Sequence, residues 1–220
     1  MRLHHTVRAM LALTFGDERA RTAALEGIRA IHRRVHGRLP AAAGRFATGT
    51  PYSAEDPDLV LWVHATLLES IPLVYEYVVE PVGAHERDAY CAEAAAVAID
   101  LGARDTEVPR TWNELSLYLD RMYASGAIAV SAQARELASA VLAPPFARLI
   151  APAAWMNRLV TVGSLPGSVR QQYGFVWSDA RERTLHRVTT ALRVARRVMP
   201  PAIALWPEAK HVSSASRGSP

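Results

Sequence analysis

The 220-residue chain has one cysteine, Cys91, and one lysine, Lys210. A single cysteine excludes an internal disulfide and any cysteine-rich metal site, and it fits a reducing compartment, so a cytoplasmic location is expected. Cys91 lies in an alanine-rich helical segment and reads as a small core residue. No apolar run approaches the roughly 20 residues that cross a bilayer, so no integral membrane segment is expected. The first ten residues are interrupted by Arg2, His4, His5 and Arg8, and no small-residue cleavage site follows them, which argues against a secretory leader. Sustained polar-apolar alternation is also missing, and with it the sign of a half-buried strand. There is no H-E-x-x-H, G-x-S-x-G, P-loop or G-x-G-x-x-G pattern, which sets aside zincin, hydrolase-elbow and nucleotide-cradle chemistry.

The positive charge is therefore almost all arginine. The net charge of +4 is modest, and acidic residues are interspersed with the arginines, so nucleic-acid binding is not expected. The densest basic stretch, Arg181 to Arg197, alternates arginine with Leu185, Val188, Leu192, Val194 and Val198 and reads as one solvated helix face.

Half the residues are apolar, and their spacing is helical nearly throughout, which predicts an all-α fold of about eight to ten helices in one compact domain. Arg2 to Phe15 forms a first helix. Asp17 caps a second, which runs to His36 and stops at Gly37. Leu39 to Pro57, with three prolines and two glycines, is a long loop of the kind that often carries function. Ser53 to Asp56 offers an S-x-x-D cap for a helix reaching about Val79, which Pro72 should kink or break. Further helices open at Gly83, at the capping box Thr111-Trp112-Asn113-Glu114, at Ser131, around Ala153, at Pro166 and at Ser178. Residues 1–206 form the domain, and 207–220 read as a disordered tail.

Two histidines sit on apolar stripes. His32 shares a face with Ile28 and Val35, and His64 lies at helical spacing from Val60, Leu61, Leu67, Leu68 and Ile71. An imidazole in such a place needs a partner, which is either a hydrogen-bonding group or a metal. His36 stands four residues after His32, a spacing at which two imidazoles can share one metal. Arg2 and Thr6 are also four residues apart and share a side of the first helix, where a buried arginine would need an anion such as a carboxylate or a cofactor propionate. Glu76 with Glu80 reads as an exposed pair.

The order R-x-x-x-T (Arg2, Thr6), then I-R-A-I-H-R-R-V-H-G around His32, then Pro51-Tyr52-Ser53 with Asp56-Pro57, then Trp62-Val63-His64-Ala65-Thr66, resembles the MpaB-type and rubber-oxygenase family. Val108-Pro109 with Thr111-Trp112, Ala143-Pro144-Pro145, Leu165-Pro166, Tyr173-Gly174, Trp177-Ser178 and Met199-Pro200-Pro201 extend the resemblance to about Trp206. It implies helices around a buried haem b, with the position matching the axial iron ligand at His32. It further implies Arg2, His5 and Thr6 as catalytic, His36 and Arg2 beside the cofactor, and an oxygenase acting with dioxygen on an apolar, isoprenoid-like substrate. Tyr52 and His64 are the candidate substrate contacts. In the rubber-cleaving branch a lysine stands where this chain has His5, and an arginine where it has His36, which favours the broader MpaB-like branch. Members carry further helical sequence before the R-x-x-x-T element, so the resemblance implies a misassigned start or a shortened member. The competing readings are a non-catalytic helical protein that binds haem or another apolar ligand, and an all-α nucleic-acid-binding regulator.

Overall fold

A computed structural model describes residues 2–142 and 151–198, with backbone alone for 2–7. The expected tail and the 143–145 and 199–201 motifs lie outside the described residues. Those residues form nine α-helices and one two-stranded sheet: α1 Arg2–Phe15, α2 Glu18–His32, β1 His36–Arg38, β2 Pro51–Ser53, α3 Pro57–Val78, α4 Ala84–Leu101, α5 Trp112–Ala124, α6 Ala132–Leu142, α7 Ala151–Gly163, α8 Gly167–Tyr173 and α9 Asp179–Val198. The fold is all-α, as expected.

Local chemistry sets most of the boundaries. The Asp17 carboxylate accepts the Ala20 N–H at 2.7 Å and opens α2. Thr111 Oγ1 accepts the Glu114 N–H while Glu114 accepts the Thr111 N–H, which completes the capping box of α5. Ser131 Oγ accepts the Ala134 N–H at the start of α6. Gly102 and Gly174 close α4 and α8 in the left-handed conformation that glycine adopts without strain.

Three boundaries differ from expectation. α2 stops at His32, four residues early, because Val35 C=O accepts the Ala54 N–H and His36–Arg38 pairs antiparallel with Pro51–Ser53. That hairpin draws the backbone out of the helix. The cap of α3 is Asp56, whose carboxylate accepts the Asp58 N–H, with Pro57 in the first turn; Ser53 Oγ instead accepts from Glu55 within a turn. Pro72 is buried and does not break α3, which continues to Val78. Burial of the Pro72 face of that turn outweighs the missing N–H.

α3 is the central element, with α4, α5 and α9 packed on it. By length and composition it could cross a bilayer, contrary to the expectation that no run reaches that length. Its contacts are tight because the facing residues are small: Ala65, Cys91, Ala95 and Ala98 have no exposed surface and let the α3 and α4 axes approach. Leu68, Leu115 and Leu119 fill the space beside them. Glu76 is not an exposed partner of Glu80; its carboxylate pairs with Arg87 of α4 and accepts the Val82 N–H at 2.9 Å. The Arg87 guanidinium also lies 4.8 Å from the centre of the Trp112 ring, which ties α3, α4 and α5 together at one end.

Candidate functional site

The first histidine belongs to the α1–α2 pair. Only Gly16 and Asp17 separate these helices, and they pack on each other, so the chain turns back and the first turns of α1 lie alongside the last turns of α2. Arg2, His5 and Thr6 are in those first turns, on a helix neighbouring the one that ends in His32. His32 is half-buried, and its imidazole has no hydrogen-bond partner among the described residues. The apolar face it was expected to share is only partly closed: Ile28 is half-buried, but Val35 is 45% exposed.

The hairpin removes one expected relationship. His36 is an exposed strand residue paired with Ser53, so it does not stand one helical turn from His32, and the two-imidazole metal spacing is absent. Tyr52 pairs with Gly37, and its hydroxyl lies 2.9 Å from where a Cβ on that glycine would sit. The ring covers the β1 backbone at Gly37. His36 and Tyr52 thus form a second group, at the link between α2 and α3.

His64 forms a third, on α3. Its Nε2 is buried and has no partner among the described residues, and burial pushes the imidazole pKa down to about 4. The ring is therefore neutral at physiological pH, so its ring nitrogens include one N–H donor and one lone pair. It stands at the boundary of two faces of α3. Val60, Leu61, Ala65 and Leu68 are buried on one side, whereas Val63, Leu67, Ile71 and Val74 are 38–56% exposed on the other. No polar contact among the described residues joins His64 to His32, His36 or Tyr52.

The family model for ER-bound oxygenase mpaB/B' and rubber oxygenase, catalytic domain, matches residues 1–195. The chain belongs to this family. The match runs from α1 into the last turns of α9, so it takes in all three groups of candidate residues of this mpaB/rubber-oxygenase member. No curated protein and no solved structure matches the chain.

Sequence reasoning missed a cleft of about 860 Å³ beside α5, lined by Leu61, Val108, Tyr118 and several charged residues. None of the predicted site residues lines it. The only hint was Val108-Pro109, since Arg45, from the loop between the strands, is remote in sequence from Arg121 on α5.

Proposed function

We propose that this member of the oxygenase family is a haem b-dependent oxygenase that uses dioxygen on an apolar, isoprenoid-like substrate. The observation that carries the reading is the family match over residues 1–195. The residues present suit the cofactor. Among the described residues no three His, Cys, Asp or Glu side chains gather to hold a bare ion, but iron carried in a porphyrin needs only one or two protein ligands. His32 offers such a nitrogen, half-buried and unpartnered, beside the exposed apolar side chains of Ile31 and Val35.

When bound, haem would supply the redox-active iron that dioxygen chemistry requires. The protein's own part is to hold, orient and exclude water. His32 would bind the metal, and Arg2, a permanent cation, suits a propionate carboxylate. His5 and Thr6 would offer polar hydrogens on the same side, with His36 at the rim. The bare apolar strip of α3 and the Tyr52 ring would take the substrate chain. His64, kept neutral by burial, would meet that chain with an uncharged ring.

Protein reconstituted with haem is expected to bind about one haem per chain and show a strong Soret band. His32→Ala should weaken or shift it, and His64→Ala should leave it in place. An unchanged spectrum in His32→Ala would remove His32 as the ligand. Absence of haem uptake, with thermal stabilisation by an apolar ligand, would replace the oxygenase with a non-catalytic binding protein.

A further inference from the structure

The cleft beside α5 has an apolar floor and an imbalanced rim. Leu61, Val108, Pro109, Leu117 and Met122 supply the apolar lining. Three carboxylates border it, and each is already engaged. Asp105 accepts from the Arg110 guanidinium, Glu107 accepts from Arg104 at 2.9 Å, and Glu114 accepts the Arg110 N–H at 2.8 Å and the Thr111 N–H at 3.3 Å. Of the three arginines, Arg110 is thereby paired. Arg45 and Arg121 line the same cleft with no carboxylate partner among the described residues. Tyr118 adds a phenol whose pKa burial pushes up to about 12, so it stays protonated and can donate.

Arg45 is placed there by the fold. It lies in the loop between the two strands, whose tip makes a tight turn with paired Ala43 and Phe46. The Arg45 N–H donates to Gly126 C=O just past the end of α5, and the guanidinium carbon lies 5.2 Å from the Phe46 ring centre. Gly44 adopts φ +54°, and a Cβ there would come within 2.6 Å of Gly126 O and 2.7 Å of Ala129 Cβ. The close approach that glycine permits seats the loop against α5, on the helix that carries Arg121.

We infer that this cleft binds a small amphiphile with an anionic head group, the head held by Arg45 and Arg121 and the apolar body resting on Leu117 and Met122, above the buried Leu61 and Val108. The volume is in the range of small-molecule sites, and two guanidiniums with a phenol donor match a carboxylate or phosphate oxygen set. Neither His32 nor His64 lines the cleft, so the site stands whether or not haem binds elsewhere.

Calorimetric titration with decanoate, decyl phosphate and decanol, all below micellar concentration, tests this. Decanoate or decyl phosphate should bind once per chain, roughly tenfold or more tighter than decanol, with affinity falling as salt rises. The tighter of the two acids identifies the head group as carboxylate or phosphate. The double variant Arg45→Gln/Arg121→Gln should lose about tenfold or more for the acid and keep its decanol affinity. Both positions are exposed, and an unchanged melting temperature will show that the variant folds. Equal affinity for decanol and the acids, unaltered acid binding in the double variant, or no binding of either acid would overturn the inference.

Discussion

A Leu115→Ala variant is expected to lose about 3–4 kcal/mol of folding stability, the middle of the usual range for such truncations. Leu115 is 1% exposed and packs in one cluster with Ala65, Leu68, Cys91 and Leu119. The cost of a cavity depends on how far its walls can collapse. Two of these walls, Ala65 and Cys91, are too short to move into the space, and they are fixed by the close approach of α3 and α4. Leu115→Met keeps the volume and should cost under about 1.5 kcal/mol. Urea denaturation followed by circular dichroism separates the outcomes. A loss below about 1 kcal/mol in Leu115→Ala would mean that α5 is not sealed against α3 and α4.

The second large effect is a dependence of stability on pH centred on His64. Its folded pKa is about 4 against an ordinary 6.5, and burial is the sole cause, with no charged neighbour contributing. As pH falls, the unfolded chain therefore takes up the proton first. The stability that depends on neutral His64 is fully present above about pH 6.5 and is lost progressively as pH falls toward 4. At 1.36 kcal/mol per unit the full loss is about 3 kcal/mol, of which about 2 kcal/mol is gone by pH 5. Denaturation at pH 7.5 and pH 5 should show that fall in the parent protein in excess of any fall in His64→Gln, which carries no titrating group there. Equal falls in both proteins would place the sensitivity in other residues.

Much of the fold was legible because it is written in short-range chemistry. Asp17, the Thr111/Glu114 box and Ser131 each act within a few residues of themselves, so the local pattern is enough to place them. The end of α2 was not legible, since it depends on His36–Arg38 finding Pro51–Ser53 across a loop. The Glu76–Arg87 pair and the Arg45–Arg121 cleft likewise join residues from different elements. Periodicity identified the apolar arc of α3 but could not reveal that, among the described residues, no helix covers part of it. The same limit applies to the histidines. His32 and His64 looked alike on their stripes, and only the packing separates a half-buried imidazole at a helix end from one whose nitrogen is shut away from water. Family membership was legible from the order of several short motifs, none of which is specific alone.

Cys91 has one more consequence. It is the sole thiol of the chain, it has no exposed surface, and burial pushes its pKa up to about 11, so in the closed fold it is both hidden and protonated. Alkylation requires the thiolate and a path to it. The rate at which a maleimide modifies the protein therefore measures how often α3, α4 and α5 part company, a built-in clock for opening of the core that needs no engineered label.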